Sequence, residues 1–309
     1  MHVWVIGSGG LLGHEIARQG RHTERAAPSS VQMYSPGKVP WLEEREAISV
    51  LTCQIQHFAN AVGSEPWAIV WAAGTAVVAS DDTRTSSELS IFTALAESVA
   101  TTLPPYVGTF FVTSSAGGVY AASSGRPFSV DSPVAPISAY GELKLAQERA
   151  AIEHCSDMCS VLIGRFSNLY GPARHKAKQQ GLIQWLCSGA MQRTAVNLYV
   201  SMDTMRDYLF VEDAARLVWS LLRESDSRTG AAIHLLASGK SHTIAEVVAT
   251  VENVTHRRVP LAMGTHASSS KQVLDLRFTS TLTLSQSAGL TPLPVGIRRV
   301  FDSLLGGVA

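Results

Sequence analysis

Apolar and polar positions along the chain follow two alternating rhythms. Short continuous apolar runs, "HVWVIG" (2–7), "AIVWAAG" (68–74), "GTFFVTSS" (108–115) and "SVLIGRFSN" (160–168), read as strands buried on both faces. "VQMYS" (31–35) is a weaker strand. Between them lie longer stretches with helical spacing: "LLGHEIARQG" (11–20), "EAISVLTCQIQHFANAV" (46–62), "SSELSIFTALAESVATTL" (86–103) and "AYGELKLAQERAAIEHC" (139–155). Strands alternating with helices predict a parallel sheet wrapped on both faces, an α/β, Rossmann-like doubly wound fold.

After Gly171 the rhythm changes. A basic loop, "PARHKAKQQ" (172–180), precedes a helix around "GLIQWLCSGAM". "DYLFVEDAARLVWSLLRE" (207–224) opens on a short apolar run and continues from an acidic pair that can start a helix. Residues 236–309 mix strand and helix patterns around a serine-rich loop, "THASSSKQ" (265–272). There is no internal repeat and no low-complexity linker, so the second domain should be interleaved with the first. The expected division is 1–171, rejoined by 207–235, against a smaller C-terminal domain of 172–206 and 236–309.

Bulk properties narrow the function class. A chain of 309 residues, 46% hydrophobic and 16% charged, has the makeup of a compact enzyme with a sizeable core. Its 25 lysines and arginines balance 25 aspartates and glutamates, which gives no broad attraction to nucleic acid or membrane. Any anionic ligand must be held by local arrangements. Cys53, Cys155, Cys159 and Cys187 lack paired zinc spacing and read as buried free thiols, so no metal is expected. "MHVWVIG" reads as a strand and not a signal peptide, and no apolar run approaches the roughly 18 residues that span a bilayer. A reducing, cytoplasmic setting is the expectation.

Chemistry enters at two places. "VWVIGSGGLLGHEIA" sets Gly7, Gly10 and Gly13 between the first strand and first helix. Such spacing gives a tight turn, close backbone approach to a pyrophosphate, and close helix–strand packing, with Leu11 and Leu12 at the helix N-terminus whose N–H groups and dipole favour phosphate. The acid expected about 20 residues on, which would hold the adenosine ribose, is missing. Ser35 and Lys38 in "MYSPGK" stand there instead, and a hydroxyl with a cation would accept a 2′-phosphate. The cofactor is therefore NAD or NADP, with a lean to NADP.

The second place is "SAYGELKLAQE". Tyr140 and Lys144, one helical turn apart, would point the same way, and a nearby ammonium would lower a phenol's pKa. That suits a proton donor or acceptor. Upstream, "FFVTSSAGGVY" is a strand ending in Ser114 and Ser115, and such strand ends face the ligand crevice of an open parallel sheet.

With these motifs the chain resembles the extended short-chain dehydrogenase/reductase family, in its nucleotide-sugar epimerase/dehydratase branch. "GSGGLLG" is similar to the family's cofactor loop, and "VWAAG", with Ala72, Ala73 and Gly74, to its fourth-strand motif. "SSAGGVY" looks like its serine segment, "SAYGELK" its Tyr-x-x-x-Lys, and "GRFSNLYGP" and "MRDYLFVEDAA" its substrate-domain signatures. The resemblance covers nearly the whole chain. It implies that Tyr140 is the acid/base, that Lys144 holds the nicotinamide ribose, and that Ser115 binds the reacting oxygen. Ser114 is the alternative, because the extra glycine in "AGGV" leaves the register open by one position. Asn168 and Arg206 would contact substrate, Arg206 gripping a diphosphate through a charge-assisted fork. The first domain would bind the dinucleotide and the second the sugar nucleotide. Hydride would leave a sugar carbon for nicotinamide while Tyr140 takes the hydroxyl proton, giving a keto intermediate. An epimerase returns the hydride to the other face, whereas a reductase runs only the return half. Dehydration needs a further acid/base pair after the serine, and Ala116, Gly117 and Gly118 offer none. Relatives often dimerise through the Tyr-Lys helix, so a homodimer is expected.

Departures mark where this chain differs. In "NLYVSMDTMRDY", Tyr199 keeps the family's aromatic, but Val200, Ser201 and Met202 replace the usual Gly-Asp-Gly turn of a loop that helps seat the nucleotide base in relatives. "EAISVLTCQI" lacks the aspartate that often contacts adenine in the third-strand region. Glu88 or Ser90 stands near a customary asparagine. Two readings follow: an NAD(P)-dependent epimerase or reductase acting on a sugar nucleotide, or a non-catalytic NAD(P)-binding redox sensor or scaffold.

Overall fold

A computed structural model describes residues 1–74, 82–172, 181–225, 229–264 and 273–306. The expected loops at 173–180 and 265–272 lie outside them. The first half runs β1 (His2–Ile6), α1 (Leu11–Ala26), β2 (Gln32–Tyr34), α2 (Glu44–Val62), β3 (Trp67–Trp71), α3 (Asp82–Thr102), β4 (Gly108–Ser115), α4 (Ala116–Val119), α5 (Ala139–Cys155) and β5 (Ser160–Phe166). The second runs β6 (Asn168–Tyr170), α6 (Leu182–Gln192), β7 (Val196–Leu198), β8 (Met205–Phe210), α7 (Val211–Glu224) and β9 (Gly230–Leu236). It closes with β10 (Ser241–Thr243), α8 (Ile244–Thr255), β11 (Leu261–Met263), β12 (Asp275–Leu276), α9 (Leu284–Ala288) and α10 (Leu293–Gly306). Two compact units result, one of 1–119, 136–165 and 215–234, the other of 120–135, 166–214 and 235–309.

The first unit is built on a six-stranded sheet ordered β2-β1-β3-β4-β5-β9, in which β1 pairs in parallel with β2 and β3, and β3 with β4. This is the doubly wound, Rossmann-like α/β fold. Because β2 and β3 lie on opposite sides of β1, the strand order reverses there, and a crevice opens at the strands' C-terminal ends. The loop after β1 and the segment Ala72–Gly74 after β3 share that edge.

The "VWAAG" segment begins at the end of β3, third in the chain, and "EAISVLTCQI" lies in α2, as the order of apolar and helical runs predicts. Two local expectations change. α1 continues past Gly20 to Ala26, because that glycine is a packing position rather than a stop. A Cβ there would lie 2.5 Å from the Met33 sulfur and 2.6 Å from the Trp219 ring. Cys53 is exposed on α2, against the expectation of a buried thiol, while Cys155, Cys159 and Cys187 are buried.

The core of this unit is aromatic. Trp71 of β3 meets Phe92 of α3 with centroids 5.1 Å apart, and Phe92 stacks on Phe110 of β4 at 5.9 Å. All three are buried, and each such side chain contributes roughly 1.5–3 kcal/mol or more on leaving water. They fix α3 against the sheet, and Glu88, one turn before Phe92, is fixed with it.

The second unit carries a sheet ordered β10-β8-β12, with β6 also pairing to β8, and a two-stranded β11-β7. Its core joins Ile183 and Leu186 of α6, Val247 and Val251 of α8, and Ile297 and Val300 of α10. A capping box starts α8, where Thr243 accepts from the Glu246 N–H and Glu246 from the Thr243 N–H. Among the described residues no helix is long and apolar enough to cross a membrane.

Candidate active site

The glycine turn comes first. Gly7 sits at φ +92°, a region that L side chains avoid, and a Cβ on it would strike the Ala73 backbone at 2.4 Å. A Cβ on Gly13 would strike the Gly7 carbonyl at 2.4 Å and approach the Ala72 Cβ at 3.1 Å. The turn and the start of α1 are thus pressed onto the strand end at Ala72 and Ala73. At Gly10 the outer side is more open, with nothing nearer its Cβ position than the Gly7 carbonyl at 3.5 Å. Gly10 is the N-cap of α1 and has no side chain to satisfy the first-turn N–H groups, which begin at Leu11 and Leu12. An open, uncapped helix N-terminus beside a glycine turn fits a pyrophosphate. Ser35 and Lys38 are both exposed in the loop after β2.

Tyr140 and Lys144 stand in the first two turns of α5, whose N-cap Ser138 accepts from the Gly141 N–H at 3.2 Å. Ser115 ends β4. Its hydroxyl accepts from the Gly118 N–H at 3.2 Å and is hydrogen-bonded to the Tyr140 phenol. The Cβ position of Gly118 lies 3.3 Å from Tyr140 Cε1 and 3.4 Å from Ser115 Oγ, so a glycine there lets ring and hydroxyl meet. Ser114 points the other way. It donates to Glu148, which is also held by a buried fork from Arg165 at 3.0 and 2.7 Å. Of the two serines, only Ser115 is in contact with the phenol.

Lys144 is buried, its ammonium 5.8 Å from the centroid of the Tyr140 ring. It donates to Gln147 Oε1 at 2.9 Å and lies 4.0 Å from Glu88 Oε1, and the Gln147 amide donates to the same Glu88 oxygen at 3.4 Å. Glu88 Oε1 in turn lies 3.0 Å from the Cβ position of Gly74. Contacts therefore run from the glycine turn through Ala72–Gly74 and Glu88 to Lys144. Of Glu88 and Ser90, Glu88 is the one beside Lys144, and Gln147 joins them. Ser90 faces elsewhere, donating to Glu44 at 2.7 Å. Gln147, three residues beyond Lys144, was accessible from helical spacing alone.

Electrostatics depart from the expected lowering of the phenol. Burial pushes the Tyr140 pKa up, the Ser115 hydrogen bond works against this, and the Glu88 carboxylate adds to the rise. Burial lowers the Lys144 pKa, with Glu88 and Glu148 opposing.

In the second unit, the Asn168 amide donates to the Asp207 carbonyl at 3.1 Å. Asp207 is buried, accepting from the Ser238 N–H at 2.8 Å and hydroxyl at 2.9 Å. Arg206 is buried on β8 and donates to the Met205 carbonyl at 2.8 Å. Burial lowers its pKa, against the pull of Tyr208 and Asp275. Tyr199 is 40% exposed, its ring 3.2 Å from the Cβ position of Gly264.

A family model described as "NAD dependent epimerase/dehydratase family" matches residues 3–235, which include the glycine turn, Ser115, the Tyr140–Lys144 helix and Arg206. The chain belongs to this family. Curated relatives include UDP-glucose 4-epimerase 4 of Oryza sativa subsp. japonica, 26% identical over 180 residues, 53% of this chain and 49% of that protein. Another is dTDP-4-dehydro-6-deoxyglucose reductase of Escherichia coli, 24% identical over 166 residues, 53% of this chain and 52% of that protein. The chain thus aligns with about half the length of these relatives. Among solved structures, "MoeE5 in complex with UDP-glucuronic acid and NAD" superposes with TM-score 0.76 over 100% of both chains at 21% identity, a likeness of fold.

Proposed function

We propose that this member of the epimerase/dehydratase family is an NAD(P)-dependent epimerase or reductase of a sugar nucleotide, working through a keto intermediate. The observation that carries the reading is the Ser115–Tyr140–Lys144 cluster, joined through Glu88 and Gly74 to a glycine turn with an uncapped helix end. A binding protein has no use for a phenol buried against a serine hydroxyl and an ammonium.

Gly7, Gly10 and Gly13, with Leu11 and Leu12, would hold the pyrophosphate, Ala72–Gly74 the adjoining ribose, and Lys144 the nicotinamide ribose. The dinucleotide supplies hydride exchange at a carbon. Ser115 orients the reacting oxygen of the sugar, and Tyr140 gives a proton to it or takes one from it. Arg206 pairs with the diphosphate, with Asn168 and Tyr199 on the same substrate. The first unit would serve the dinucleotide and the second the sugar nucleotide, in a homodimer. α4 carries no acid or base beyond Ser115, which favours epimerisation or reduction over dehydration.

Ser35 and Lys38, exposed where a ribose acid would stand, support NADP over NAD. Calorimetry against NAD(H), NADP(H) and a panel of UDP- and dTDP-sugars tests the assignment, together with mass spectrometry of any cofactor retained through purification. Retained NAD fits an epimerase that recycles its hydride, and an empty site with NADPH affinity fits a reductase. Dinucleotide binding with no sugar-nucleotide binding contradicts the enzymatic reading.

A further inference from the structure

Glu88 brings a carboxylate to the centre of the cluster. Its carboxylate is buried beside the Gly74 backbone, 4.0 Å from the Lys144 ammonium, and receives the Gln147 amide, whose own carbonyl oxygen accepts from that ammonium. An ammonium has three protons to donate, and here one goes to Gln147 while the charge is drawn toward α3. A neutral amide at position 88 could hold the same geometry without competing for that charge.

We propose that Glu88 is a positioning residue of this site: its carboxylate, relayed by the Gln147 amide, competes with the Tyr140 phenol for Lys144 and keeps the phenol in its proton-bearing form. The consequence, which rests on the acid/base reading above, is a site poised to deliver a proton to a carbonyl oxygen, the reductive half of the chemistry.

The surroundings support this balance. Besides Glu88 on α3, the charged groups acting on Lys144 among the described residues include Glu148 on α5, and Glu148 is already engaged by Arg165 of β5 and by Ser114 of β4. On the phenol itself act Ser115, which favours ionisation, and Glu88, which opposes it. Burial raises the phenol's pKa independently of either. Glu88 is thus the charge whose removal should tip the phenol toward ionisation.

The test is a pH titration of the Tyr140 phenol by NMR, with ¹³Cζ-tyrosine label, in the full chain, in Glu88→Gln and in Glu88→Asn, the resonance being assigned with Tyr140→Phe. The phenol should ionise at least about tenfold more readily in both Glu88 variants. In the unaltered protein the Glu88 carboxyl ¹³C resonance should respond in step with the Tyr140 titration, a readout that needs no variant to fold. An unmoved or higher titration midpoint in a folded variant, or a Glu88 resonance blind to the phenol, overturns the proposal. Normal turnover by Tyr140→Phe would instead remove the acid/base reading while leaving this titration comparison intact.

Discussion

Two buried cations, one in each unit, have different neighbours. Lys144 is enclosed by acceptors from its own chain: Gln147 at 2.9 Å, Glu88 at 4.0 Å, and Glu148 one turn on. Arg206 donates to a backbone carbonyl, and the Asp275 carboxylate that acts on it is itself forked by Arg277 at 3.0 and 2.8 Å. A buried cation supplied with internal countercharge is suited to tuning a neighbour. An arginine, with its planar fork of donors, is suited to an external anion. The difference matches the roles proposed for them, proton chemistry in the first unit and diphosphate binding in the second.

The comparison breaks most sharply at Tyr140. Tyr140→Phe should lower turnover by roughly two to four orders of magnitude while dinucleotide affinity, read by calorimetry, stays within about twofold. Next in size is the scaffold beneath the cluster. Trp71→Ala should lower the free energy of unfolding in urea by about 3–5 kcal/mol, since it empties the contact that pins α3, and with it Glu88, to the sheet. Arg206→Lys keeps the charge and loses the fork, so the KM for sugar nucleotide should rise roughly ten- to a hundredfold with kcat nearly constant. The smallest effects come from two caps. Ser138→Ala at the head of α5 and Thr243→Ala at the head of α8 should each cost about 1 kcal/mol of stability, but only Ser138→Ala should also lower kcat, because only α5 carries Tyr140 and Lys144.

Pattern alone made much of the fold legible. β4 and α5 fall where the apolar run 108–115 and the helical spacing 139–155 place them, because each starts at a clear signal: Gly108 opening one, the Ser138 cap before the other. α1 was harder, since Gly20 imitates a helix stop and its true reason, the Met33 and Trp219 side chains against it, is invisible in one dimension. Within the site, neighbours close in sequence were readable and distant ones were not. Tyr140 and Lys144 share a helix face by spacing, but Glu88 reaches Lys144 across 56 residues through the packing of α3 on α5. The choice between Ser114 and Ser115 likewise turns on which side of β4 faces Glu148. That is a matter of tertiary packing.

The central claim is that Tyr140 moves the proton that accompanies hydride exchange at a sugar carbon. The most direct measurement supplies the protein with dinucleotide deuterated at the nicotinamide C4 and a panel of keto-sugar nucleotides, then weighs the sugars by mass spectrometry. The account predicts one deuterium in a sugar with the unaltered chain and a severe loss of that label with Tyr140→Phe. Equal labelling by both proteins, or no labelling of any sugar despite tight dinucleotide binding, would contradict it.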